Sequence, residues 1–267
     1  MLSGMRWSYR CRTIACWACA RSRIVRKAAR LMTPFAGADN QDCSFATICL
    51  SRVADVNDLT LAVREVRKSL RNMRDYETKT DRRWAEVGIH GSVEIDAVDA
   101  EGIPRLPPQR RALIPALPAI GQVVINNEVI WLPHLHASVH HPGLERGELL
   151  HLLRRHYPGE HRVDVSAFRA DTAEQQGFSA AEINAYTTAS YALSQSYSTK
   201  FDDPLQQAQP VTIRWPTAWQ AIYHDWIFRS GRSLQALQIS INRKKPIVVN
   251  KKCDQIKIYI EPMPCVF

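Results

Sequence analysis

The run Trp131-Leu-Pro-His-Leu-His-Ala-Ser-Val-His-His141 carries two histidines one residue apart, His134 and His136. Successive side chains of a β-strand point to opposite faces, so both imidazoles share one face while Leu135 and Ala137 take the other. A strand of this kind needs a core behind it and therefore a sheet around it. Neutral imidazole is a common metal ligand, and two on one rigid strand make a ready bidentate site. The alternative is a pair of exposed histidines on a surface strand.

A second strand offers a partner. From Gly91 to Val98 the chain alternates, with Val93, Ile95 and Ala97 on one face and Ser92, Glu94 and Asp96 on the other, in the parity of His90. Glu94 is our candidate third metal ligand, because an unpaired carboxylate between Val93 and Ile95 would cost several kcal/mol to bury and coordination removes that cost. Asp96 and His90 are the other candidates on this face, and Glu94 exposed or paired with an arginine is the bland reading. Residues 101–118 hold five prolines and read as irregular. Gln122 to Ile125, a turn at Asn126-Asn127, and Val129 through His140 read as a hairpin. The Glu94 and histidine strands can then lie in one antiparallel sheet.

Other elements follow from local pattern. Ser44 to Leu50 is rich in β-formers and predicts a strand. A helix capped by Asn57 or Asp58 runs to about Lys79, with Ala62, Val66, Leu70 and Met73 on its apolar stripe. Leu144 to Tyr157 has helical spacing and stops at Pro158-Gly159; Arg162 to Phe168 alternates as a strand. Ser179-x-x-Glu182 forms a capping box and opens a helix predicted to reach Lys200. On that helix Tyr186, Ser190, Leu193, Tyr197 and Lys200 make one stripe. Tyr197-Ser-Thr-Lys200 thus sets a phenol and an ammonium one turn apart.

Charge narrows the partners. Against 26 acidic residues stand 35 basic ones, a formal net charge of +9, which favours a polyanion such as nucleic acid. No stretch supplies the ~18 uninterrupted apolar residues of a membrane helix, so no membrane partner is expected. The first thirty residues carry eight Arg or Lys and no acid. Cys11, Cys16 and Cys19 among them argue against a mitochondrial presequence. Cys16-x2-Cys19 followed by Arg21 and Arg23 looks like half of a zinc knuckle laid against phosphates, with Cys43 the nearest further thiol. Unliganded, reduced cysteines are the alternative. Seven cysteines, an odd number, without a secretion signal speak against disulfides and for the cytoplasm.

In this order the motifs resemble the HUH-type replication initiators of rolling-circle plasmids, the Rep endonucleases. Pro133-His-Leu-His136 stands for the paired-histidine motif and Tyr197-Ser-Thr-Lys200 for the tyrosine motif. Phe45 to Leu50 stands where the family has its first motif, Glu94 where related enzymes supply a carboxylate, and Cys16-x2-Cys19 where some members have a cysteine cluster. Leu193 replaces the acid that some members place one turn before the tyrosine. The resemblance implies a metal-dependent tyrosine endonuclease and strand transferase. It would nick single-stranded or extruded origin DNA through a 5'-phosphotyrosine and work with host replication machinery. Mn²⁺ or Mg²⁺ suits His134, His136 and Glu94; Tyr197 would be the nucleophile, helped by Lys200; Cys11, Cys16 and Cys19 would hold structural Zn²⁺.

The expected fold is α+β, an antiparallel sheet carrying the metal ligands with the Tyr197 helix packed across it. Three regions are expected: a basic, cysteine-containing segment (1–42), an HUH-like nuclease domain (43–204), and a Trp-rich, basic C-terminal segment (205–267). Trp215, Trp219 and Trp226 suggest a small helical unit there. Two other readings stay open: a relaxase or single-strand transposase of the same chemistry, and a non-catalytic zinc-containing DNA-binding protein.

Overall fold

The structure is a computed structural model that describes residues 17–121, 129–175, 177–194, 197–202, 211–229 and 237–241, with backbone alone for 17–23, 192 and 194. The central strands are β3 (Gly88–Val98) and β5 (Ile130–His140), each eleven residues long and paired antiparallel without a bulge. Their register sets Glu94 opposite His134 and Ser92 opposite His136. On the far side of β5 lies β1 (Cys43–Cys49), followed by β6 (Val163–Ala167), both antiparallel; β9 (Gln238–Ile241) pairs with β3.

The expected all-antiparallel sheet is mixed. Two short strands, β2 (Arg52–Val53) and β4 (Ala119–Ile120), pair parallel to each other, and β2 adds to the edge of β5. The chain reaches β4 from α3 (Pro108–Ala116), a helix within the stretch expected to be irregular. Proline at the first helical position costs nothing, since that N–H has no intrahelical partner.

Helices cover both faces. α5 (Ala180–Ser194) and α1 (Trp17–Met32) lie together over the histidine face. The other face packs on α2 (Leu59–Thr80), α4 (Arg146–His156) and α6 (Thr217–Arg229), with Tyr157 bonded to Ser69 and Trp226 to Thr60. Because both faces are covered, β3 is buried along its whole length, including His90, Ser92, Glu94 and Asp96. Ala28, Ala29, Leu31 and Met32 of α1 and Tyr223, Trp226 and Ile227 of α6 share one apolar core with the sheet. Among the described residues no helix is long and apolar enough to cross a membrane.

The tyrosine segment departs from expectation. The capping box forms, Glu182 N–H donating to Ser179 Oγ at 3.3 Å and Ser179 N–H to the Glu182 carboxylate at 2.9 Å. The helix ends at Ser194, however, and Ser198–Phe201 is strand β7, paired with β8 (Val211–Arg214). Tyr197 stands between them with φ of 49°, a conformation no helix interior uses. Thr199 explains the strand: its buried hydroxyl donates to the Ala97 carbonyl at 2.6 Å and accepts from Trp215 Nε1 at 3.1 Å. The stripe from Tyr186 to Lys200 is therefore cut after Leu193.

Gly91 lies opposite Ala137 in the β3–β5 ladder. A Cβ there would sit 2.6 Å from Ala137 Cα and also strike the His136 carbonyl oxygen, both backbone atoms that cannot swing aside. Gly91→Ala is expected to destabilise by about 3 kcal/mol, the upper end of what overpacking costs, read as a drop in the urea midpoint.

Glu77 of α2 is buried and accepts from His156 Nε2 at 2.8 Å and from Arg155, both on α4. Burial opposes its ionisation, but these two partners outweigh burial and hold its carboxyl below the ordinary range. A depressed folded-state pKa adds stability above the unfolded value, about 4.3, that is lost as pH falls through the folded one. Glu77→Gln is therefore expected to melt below wild type at pH 7, with the gap closing as thermal scans move below about pH 4.

Candidate metal centre

Glu94, His134 and His136 meet under α5. Each is less than a tenth exposed. Glu94 Oε2 lies 3.3 Å from His134 Nε2 and 3.0 Å from His136 Nε2. Ligand atoms each about 2.1 Å from one ion, at tetrahedral or octahedral angles, sit about 3.0–3.4 Å apart. Both Glu94 contacts therefore have the spacing of a shared cation, all three ligand atoms lie within 4.8 Å of one another, and this is the only such group among the described residues.

Satisfaction of the polar atoms points the same way. His134 Nδ1 donates to the Leu132 carbonyl at 3.2 Å; a carbonyl only accepts, so Nδ1 holds the proton and the Nε2 lone pair faces Glu94. His136 Nδ1 lies 3.1 Å from Thr47 Oγ1. Glu94 Oε2 and His136 Nε2 are buried with no hydrogen-bond partner, although only 3.0 Å apart, so both atoms turn on the same point. Contrast His141, whose Nε2 and Nδ1 are both engaged, by Ser44 Oγ at 2.8 Å and the Leu144 carbonyl at 2.9 Å. That is a structural histidine; His136 is not satisfied in this way. A buried donor set of two imidazoles and one carboxylate fits a divalent cation with open coordination positions.

Electrostatics agrees with ionised Glu94. Burial pushes its carboxyl up, but the imidazoles beside it more than offset that and hold it well below the usual carboxylate range. Burial also depresses His134, yet the charges of Asp96 and Glu94 leave it raised; burial dominates at His136, which is lowered.

The other acidic and imidazole candidates are engaged elsewhere. Asp96 pairs with Arg110 of α3, a residue the sequence reading did not single out. His90 Nδ1 lies 2.9 Å from Ser240 Oγ, and Phe35 meets its ring edge to face.

Tyr197 and the histidines occupy different surroundings. The Tyr197 ring touches Trp215, Tyr223 and His224; Trp215 meets Trp131 edge to face and Tyr223 stacks on it, and the parity of Trp131 on β5 places it on the sheet face away from His134 and His136. Burial raises its phenol above the ordinary value. Lys200 is partly buried on β7, pointing opposite to Thr199. The tyrosine whose ring meets the centre is Tyr191 of α5, edge to face with His136 at 5.5 Å. In the sequence Tyr191 and Tyr186, on the helix expected to carry Tyr197, are the next candidates for the nucleophile after Tyr197.

Cys11 and Cys16 lie outside the described residues, as do 242–267; Cys19, Arg21 and Arg23 fall on α1, where backbone alone is described. The hairpin expected from Gln122 to Ile125 with its turn at Asn126-Asn127 likewise lies outside them. Cys43 and Cys49 are free thiols, and burial pushes them up to about 12 and about 11, so neither is a thiolate at neutral pH.

Fold and site together describe an α+β protein with a buried two-histidine, one-carboxylate centre under a tyrosine-bearing helix. No family model, curated protein or solved structure matches the chain.

Proposed function

We propose that the chain is a metal-dependent tyrosine endonuclease and strand transferase of the HUH type. It would nick single-stranded origin DNA and start rolling-circle plasmid replication, acting in the cytoplasm with host replication proteins. The observation that carries this reading is the buried Glu94–His134–His136 trio with the ring of Tyr191 against His136. That contact favours Tyr191 over Tyr197 as the attacking group.

Glu94, His134 and His136 would hold a Mn²⁺ or Mg²⁺ ion, which would supply positive charge at the scissile phosphate. The phenol oxygen attacks phosphorus and gives up its proton to solvent; the bond from phosphorus to the 3' oxygen breaks, and that oxygen leaves as a hydroxyl. The 5'-phosphotyrosine so formed conserves the bond for rejoining. The net charge of +9 supports binding of the polyanionic strand.

The test is a covalent-capture experiment. Single-stranded plasmid-origin oligonucleotides carrying a 5' label upstream and a 3' label downstream of the nick are incubated with protein and Mn²⁺. A protein band that carries only the 3' label through denaturing electrophoresis, and vanishes with EDTA, supports the reading. Metal-independent cleavage, or none with any origin strand, argues against it.

A further inference from the structure

We propose that Thr47 is a positioning residue of the metal centre, its hydroxyl accepting the Nδ1 proton of His136 so that Nε2 stays free for the ion. This rests on the reading of the trio as a metal site. Thr47 is the cross-strand partner of His136 on β1, and its Oγ1 lies 3.1 Å from His136 Nδ1, both residues being buried. Phe45, two residues earlier on the same face of β1, lies flat on the His136 ring, with centroids 5.6 Å apart and planes within 6°. β1 therefore holds the imidazole by its face and by one nitrogen.

The two histidines differ in what fixes their tautomer. His134 is set by a carbonyl, which can only accept. Thr47 can donate or accept, so His136 has two options. With the proton on Nε2, the ring is placed to turn toward Glu94 and needs nothing from Thr47. With the proton on Nδ1, Nε2 is a ligand and Thr47 receives the buried N–H. Only the second form binds a cation. Without the hydroxyl, that form alone leaves a buried donor unpaired, so the loss falls on the metal-bound state and spares the empty one.

The experiment uses the full chain and Mn²⁺ alone as probe. Titration calorimetry should give Thr47→Val a Kd about 10–100-fold above wild type, the range expected for a lost outer hydrogen bond to a ligand. Thr47→Ser, which keeps the hydroxyl, should stay within about threefold of wild type. Far-ultraviolet circular dichroism checks that the Val variant folds. Independently of either variant, ring ¹⁵N shifts of His136 in wild type loaded with diamagnetic Zn²⁺ should report the proton on Nδ1. A proton on Nε2 there, or an unchanged Kd in a folded Val variant, overturns the role of Thr47. A wild-type chain that binds neither ion overturns the metal centre itself and the Thr47 role with it.

Discussion

Glu94→Ala should abolish tight Mn²⁺ binding, raising Kd by more than the 10–100-fold that outer residues cost, because it removes one of three donors. The cleanest readout is thermal. A cation that binds only the folded chain stabilises it by RT ln(1 + [L]/Kd), so wild type should melt higher as Mn²⁺ is added. The Glu94→Ala variant should show little of that rise up to millimolar Mn²⁺. Its metal-free melting point, measured beside wild type, separates loss of the ligand from loss of fold, because Glu94 also faces both imidazoles in the folded chain. Equal metal-induced shifts in both proteins would falsify Glu94 as a ligand. The histidines add a pH dependence of known sign. His134 is raised, so it takes a proton at higher pH than a free imidazole and competes with the cation. Mn²⁺ affinity should therefore rise with pH, and on acidification its loss should set in above the free-imidazole value of about 6.5.

Tyr191→Phe should eliminate the covalent DNA adduct while leaving strand binding and Mn²⁺ affinity within about twofold of wild type. Phenylalanine keeps the ring that packs edge to face with His136 and removes only the attacking oxygen, so nothing but the chemical step is lost. Tyr197→Phe is the control, since its ring belongs to the Trp215–Tyr223 cluster and its phenol is raised by burial. It should retain most of the adduct. Should Tyr197→Phe lose the adduct and Tyr191→Phe keep it, β7 must carry Tyr197 to the histidines in the DNA-bound state.

Parity and spacing by themselves determined a good part of this protein. Strand alternation put His134 with His136, and Glu94 with Ser92 and Asp96, because side-chain direction along a strand depends only on the neighbouring residues. The stripe of Ala62, Val66, Leu70 and Met73 and the Ser179–Glu182 box were local for the same reason. What local pattern does not contain is which elements meet. The pairing of β3 with β5 in the register that opposes Glu94 to His134 is a long-range choice, and so is the cover of α5 that buries the polar face. The end of α5 was decided the same way. Helical spacing continued through Tyr197 to Lys200, but a strand ladder with β8 and the buried hydroxyl of Thr199 offered Ser198–Phe201 partners that a longer helix would forfeit. Tertiary structure alone brought Tyr191 to His136, tied Asp96 to Arg110 and set Thr47 on a ligand's second nitrogen, because each contact joins residues whose separation along the chain carries no periodic trace.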